Sequence, residues 1–151
     1  MSTDDKDTII TLTVATALIN NNNVDQQVIF SDDQGDGQSS PGNSKNYTSK
    51  VNKGKKVTWT ATLNTESGKS NSGDSVTMVA ILKKVNGLGG DDILEKDCYY
   101  VDGTDVQGKV KSNAKDDETE NYLAVFTVTT GSPAVSTTYI IDPRIKVVTQ
   151  N

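Results

Sequence analysis

The 151-residue sequence predicts an all-β fold, a two-sheet antiparallel sandwich with Greek-key or jelly-roll connections, on three observations. Eight or nine short segments carry apolar residues at strand spacing, and polar turns separate them at fairly regular intervals. The chain is also rich in Thr, Ser, Asn, Asp and Gly, which compete with helical hydrogen bonding, and Thr itself favours strands. A chain of this length buries roughly 70% of the surface its unfolded form exposes, enough for one core without disulfide or metal. Residues 1–151 are therefore expected to form one sandwich domain with a polar extension at 1–7, and neither a repeat nor a linker divides them.

Each element follows from its own pattern. Ile9–Leu18 opens the fold with Ile10, Leu12 and Val14 alternating against Thr11 and Thr13, and the Asn20–Asn23 run ends it. Gln27–Ser31 is a short second strand around Val28, Ile29 and Phe30, and the stretch Asp32–Lys45 is too polar to pack and forms a surface loop. Tyr47–Val51 suits a short edge strand. In Lys56–Leu63, Val57, Trp59, Ala61 and Leu63 point one way while Lys56, Thr58, Thr60 and Thr62 point the other.

Ser75–Val85 places Val76, Met78, Ala80 and Leu82 on one face and Val79 and Ile81 on the other, as a central strand does; its β-branched content and lack of a cap argue against a helix. A Gly-rich turn at Asn86–Asp92 follows. Cys98–Val101 and Val106–Lys111 pair around a turn at Asp102 and Gly103. The acidic stretch Lys115–Glu120 leads into a second central strand, Tyr122–Thr129. Thr137–Ile141 and Arg144–Val148 close the chain, and Pro143 between them bends the chain or marks an edge.

Composition narrows the function. Hydrophobic residues make up 33% and aromatic residues 5%, so the core is built from aliphatic side chains with a few buried rings. Fifteen Lys and Arg against twenty Asp and Glu give a net charge of -5, which argues against nucleic acid and anionic membrane surfaces as partners. No apolar run is long enough for membrane insertion, and the N-terminus has no signal-peptide pattern, so a cytoplasmic location is expected. Cys98 is the only cysteine, which excludes an internal disulfide and suggests a buried, inert thiol.

The chain contains no histidine, which removes the usual general base, the imidazole metal ligand and every Ser-His or Cys-His nucleophile pair. There is no phosphate-cradling Gly-Lys-Ser/Thr loop, and the acidic residues fall in turn-like stretches as solvated charges. The chain is expected not to be an enzyme. One metal pattern remains: Asp32, Gln34 and Asp36 offer side-chain oxygens at alternating positions beside Gly35 and Gly37, the start of a calcium loop. The twelfth position is Asn43 rather than a bidentate Glu, and Pro41 interrupts the loop. Asp91 with Asp92, Asp102 with Asp105, and Asp116 with Asp117 are weaker pairs.

Trp59 is expected as a core plug rather than an exposed sugar-stacking ring. Lys50, Lys53, Lys55 and Lys56 form a basic cluster that suits a solvated face or head-to-tail association. Asn46, Tyr47 and Thr48 form a glycosylation sequon. The segment Val51–Thr60 is similar to the strand entry of cupredoxins and other Greek-key sandwiches, although copper binding there would need imidazoles the chain lacks.

Several segments together resemble the AidA/PixA-type inclusion-body proteins of bacteria: Ile9–Ile19, Gly54–Leu63 with its tryptophan, Ser75–Leu82, Tyr122–Val128, and the closing Asp142-Pro143-Arg144-Ile145-Lys146-Val147. Where that family usually carries an aromatic residue ahead of Asp-Pro, this chain has Ile141. The resemblance implies a cytoplasmic, non-enzymatic β-sandwich protein found in dense inclusions. The leading expectation is thus a structural or interaction protein whose partner is itself, assembling into higher-order forms or inclusions. The alternative is a small lectin-like module, binding a glycan with help from Ca2+ at the Asp32–Asn43 loop.

Overall fold

The structure of the chain, a computed structural model, describes residues 6–85 and 88–148. The polar extension lies mostly outside the described residues, as do Asn86 and Gly87 of the Gly-rich turn. Ten strands occur among the described residues: β1 (Thr8–Val14), β2 (Val28–Asp32), β3 (Thr48–Val51), β4 (Lys56–Leu63), β5 (Ser75–Lys83), β6 (Cys98–Asp102), β7 (Asp105–Lys109), β8 (Thr119–Thr130), β9 (Val135–Ile141) and β10 (Arg144–Val147). The helical content among these residues is one four-residue turn, α1 (Val24–Gln27), and a 3-10 turn at Ser44–Asn46. The fold is all-β.

Hydrogen bonding runs continuously in the order β2-β1-β4-β7-β6-β5-β8-β10-β3, with β9 also paired to β8. Two pairings, β1 with β4 and β10 with β3, are parallel. The expectation of a wholly antiparallel arrangement is corrected there: the result is a mixed, nearly closed barrel-like sheet. Period-two alternation specifies which face of a strand is buried, not which partner it takes or in which direction.

β8 organises half of this sheet. Its N-terminal end pairs with β10 through Thr119–Asn121, and the remainder pairs with β9 through Ala124–Thr130, in one common register. β9 and β10 are therefore a single strand path broken at Asp142-Pro143, where the Pro143 carbonyl accepts the Tyr122 N–H at 3.2 Å. Pro143 lacks an N–H to continue the ladder, which accounts for the break.

β5 carries apolar residues on both faces for a specific reason. Its pairing with β8 slips between Met78 and Ala80, a β-bulge that inverts the phase. Met78, opposite Phe126, and Ile81, opposite Ala124, are both buried, although they have opposite parity along the chain. The expected grouping of Met78 with Ala80 and Leu82 is corrected by this bulge. β5 is central as expected, lying between β6 and β8.

The core joins Ile10, Leu12 and Val14 of β1, Phe30 of β2, Val57 and Trp59 of β4, Met78 and Ile81 of β5, Tyr122 and Phe126 of β8, and Ile145 and Val147 of β10. Trp59 sits at its centre, fully buried. Its indole N–H donates to the Tyr122 hydroxyl at 2.8 Å, with the rings edge-on at 5.4 Å. The core-plug reading of Trp59 holds, and a sugar-stacking role for this ring is ruled out by its burial.

Candidate functional site

The two ends of the hydrogen-bonded path, β2 and β3, meet at the loop that carries the calcium-like pattern. β3 turns Tyr47, Ser49 and Val51 inward, all buried, and so points Tyr47 at the end of β2. The Tyr47 hydroxyl donates to Asp32 Oδ2 at 2.8 Å and to the Gly37 carbonyl at 3.1 Å, and its ring stacks on Phe30 at 6.1 Å. From the loop, Asp36 Oδ2 accepts the Lys50 N–H at 3.0 Å while Oδ1 lies 3.3 Å from the Lys50 ammonium. These contacts close the seam of the barrel.

The seam concentrates charge in a poorly hydrated place. The Asp36 side chain is only 8% exposed. Burial first, then the adjacent Asp32 carboxyl, push the Asp36 carboxyl above its ordinary pKa, against the opposing pull of the Lys50 N–H and ammonium. Burial and the same Asp32 charge raise the Tyr47 phenol far above its usual value, so it remains a donor at neutral pH. Ser49 Oγ is buried on the Tyr47 face of β3, where its proximity to the Tyr47 hydroxyl pulls the phenol's pKa down, against the larger upward push of burial.

Of the three residues singled out in the sequence, the structure therefore brings Asp32 and Asp36 together. Gln34 is directed elsewhere: its side-chain amide donates to Asp33 Oδ1 at 2.9 Å and to the Asp7 carbonyl at 3.3 Å, while its backbone N–H donates to Asp32 Oδ1 at 2.8 Å. Among the described residues, no three acidic or thiol side chains gather in a way that could hold a metal ion. The loop is also less solvated than its composition suggests. Ser39 and Ser44 are buried and bond to the backbone of β2, Ser39 through its N–H to the Phe30 carbonyl at 2.9 Å and Ser44 through its hydroxyl to the Val28 carbonyl.

Asp91, Asp92 and Asp117 of the other acidic pairs have structural partners, whereas Asp102 and Asp105 face each other across a hairpin. Asp91 Oδ2 accepts the Thr119 N–H at 2.9 Å, Asp92 pairs with Lys83 and Lys111, Asp102 lies opposite Asp105 in the β6–β7 hairpin, and Asp117 pairs with Lys146 at 3.4 Å. Cys98 is half-buried rather than enclosed, next to the exposed Tyr100 on the same face of β6. Lys56 lies opposite Lys109 at a surface depression of about 260 Å3.

One acidic residue departs from the solvated-charge reading. Glu120 is only 2% exposed at the start of β8, where Oε1 accepts the N–H groups of Ile93 at 2.7 Å and Leu94 at 3.0 Å. Burial pushes its pKa up, more strongly than these two donors and the nearby Lys83 and Lys111 pull it down. A signal for it exists in the sequence: continuing the alternation of Tyr122, Ala124 and Phe126 two residues back puts Glu120 on the inward face. Tyr47 had no comparable signal, because only the folding of β3 beside the end of β2 gives its hydroxyl a role.

No family model matches the sequence, and no curated protein matches it. A search of solved structures does find a likeness. No helix among the described residues is long and apolar enough to cross a membrane. A crystal structure of the inclusion body protein PixA from Burkholderia cenocepacia J2315 aligns with 98% of this chain and 98% of its own, with a TM-score of 0.59 at 14% sequence identity. At that identity the likeness concerns the fold alone, and it bears out at that level the resemblance drawn from the strand segments: this chain has the fold of an inclusion body protein.

Proposed function

We propose that this protein is a non-enzymatic structural protein, resident in the cytoplasm, that self-associates into higher-order assemblies. The observation that carries this reading is the end-to-end likeness of its fold to an inclusion body protein. Its chemistry agrees: the chain has no histidine, and the most buried carboxylate among the described residues, Glu120, is committed to two backbone N–H groups. The test is sedimentation of the full chain over a wide concentration range. Growth of dimers and larger species with concentration is expected, and a strictly monomeric chain at the highest soluble concentration would overturn the reading.

A second reading is favoured by the seam: a calcium-assisted binding module, lectin-like in function, that takes a glycan. The convergence of Asp32 and Asp36, with the Gly37 carbonyl close by at the Tyr47 hydroxyl, supplies oxygens of the kind calcium takes. Two carboxylates make a weak site, and the Lys50 ammonium competes for one of them. Titration calorimetry with calcium chloride tests it. Heat at millimolar calcium that disappears in Asp36→Asn supports the reading, whereas no heat and no shift in melting temperature would remove it.

A further inference from the structure

We propose that a cleft over the outer face of β1 and β2 binds a neutral sugar. This deepens the binding-module reading and rests on it, and it gives the glycan a site of its own beside the calcium-like loop. Alternation dictates the floor of the cleft. Burying Leu12, Val14, Val28 and Phe30 turns Thr13, Ile29 and Ser31 outward, with Thr13 directly opposite Ile29. Two depressions, of about 230 and 100 Å3, lie over this face and meet at Ile29, Asn64 and Glu66.

Both walls are fastened to the sheet. On one side the β4–β5 loop is held by the Asn64 N–H on the Val14 carbonyl at 2.8 Å and the Ala17 N–H on the Lys69 carbonyl at 2.9 Å. The Thr16 hydroxyl adds a bond to Asp74 Oδ2 at 2.6 Å. On the other side the loop after β2 bridges Gln38 to Ser31, and its Gly42 N–H reaches the Asp25 carbonyl at 3.2 Å. Gln38 and Pro41 line the cleft, so the loop that carries Asp32 and Asp36 also forms one of its walls. A cleft with fixed walls loses little freedom when a ligand enters.

Asn64 points to the ligand. It is only 6% exposed, yet it lines both depressions. Its Oδ1 accepts the Glu66 N–H at 3.0 Å, and among the described residues its Nδ2 has no acceptor, which leaves two donors to whatever occupies the cleft. Around it, the Thr13 and Ser31 hydroxyls and the Gln26, Gln27 and Gln38 amides make no side-chain hydrogen bond to another described residue. Hydroxyls and amides both donate and accept, as the hydroxyls of a sugar do, while Ile29, Leu63 and Pro41 offer apolar surface to its C–H groups. The charged groups lining the cleft are one carboxylate, Glu66, and one ammonium, Lys69, so it favours a neutral ligand over an anionic one.

The experiment applies the full chain to an array of neutral and sialylated glycans, once with calcium chloride and once with EDTA. Beside the wild type it uses Asn64→Asp, which keeps the acceptor for Glu66 but loses the N–H donors, Gln38→Ala on the opposite wall, Asp36→Asn, and Thr104→Ala in the distant β6–β7 turn. The wild type is expected to retain neutral glycans, with binding at least about tenfold weaker in Asn64→Asp and Gln38→Ala and unchanged in Thr104→Ala. Wild-type retention by both cleft variants overturns the cleft; loss in Asp36→Asn alone then leaves the binding-module reading standing through the calcium-like loop. Preference for sialylated over neutral glycans also overturns the cleft. A wild type that retains no glycan under either condition overturns both. Should Asn64→Asp fail to fold, Gln38→Ala and Thr65→Ala, both at exposed positions lining the cleft, decide by the same measure.

Discussion

At the scale of single residues, the partner of each buried polar group sets what that group is worth. The Trp59 indole N–H has one partner, the Tyr122 hydroxyl, in a region from which water is excluded. Tyr122→Phe removes that acceptor and leaves a buried donor unsatisfied, which costs about 1–3 kcal/mol. Urea unfolding should show a lower midpoint with an unchanged slope. Glu120 behaves in the opposite sense with pH. Its folded-state pKa lies above the ordinary 4.5, so the folded chain holds this proton more tightly than the unfolded chain. Its contribution is fully present below pH 4.5 and is lost as pH rises through the raised folded value. Glu120→Gln keeps an acceptor for Ile93 and Leu94 but cannot titrate. The stability of wild type relative to Glu120→Gln should therefore fall as pH rises across that window, and denaturant titrations at a series of pH values measure it. Trp59 and its strand were legible in the sequence because alternation around Val57 and Ala61 places the ring on the inner face. The burial of Glu120 was obscured because an acidic run, Asp116 to Glu120, resembles a solvated turn until the strand is seen to begin at Thr119.

At the scale of elements, most strand positions were readable and most partnerships were not. β4, β8 and the β6–β7 hairpin fall where alternation and turn residues put them, whereas β1 ends at Val14, short of the expected Leu18, because the chain turns at residues 15–18. The parallel pairings β1–β4 and β10–β3 join segments far apart in sequence, and nothing local encodes them. The bulge in β5 was also hidden, since one extra residue changes which face later residues take without leaving a mark in the apolar pattern. The acidic loop gained its meaning from the same non-local geometry: its residues close the barrel between β2 and β3. Asp36→Ala removes the acceptor of the Lys50 N–H and one side of the ion pair, at a cost of about 1 kcal/mol because Lys50 is half-exposed. Hydrogen exchange should accelerate at Lys50 and in the loop from Asp33 to Asn43, while the centre of β8, paired on both sides at Ala124, stays protected.

At the scale of the whole molecule, the sign of the salt effect separates two ways in which this chain can associate. A net charge of -5 makes any two copies repel at neutral pH, and salt screens that repulsion over a Debye length of roughly 8–10 Å. If copies meet through an uncharged surface, only repulsion is screened, so association at pH 7 strengthens as sodium chloride is added. It should strengthen also as pH falls toward the isoelectric point near 4.6. If instead the lysines at 53, 55 and 56 dock on an acidic face of a second copy, salt screens the attraction that holds the pair, and association weakens. That head-to-tail contact uses different surfaces on the two copies and extends without closing, whereas a single two-fold contact stops at a dimer. Sedimentation at low and high salt therefore reads both the sign of the charge term and the geometry of the contact. The expected result is association that tightens with salt; species that dissolve with salt would assign the assembly to the lysine cluster.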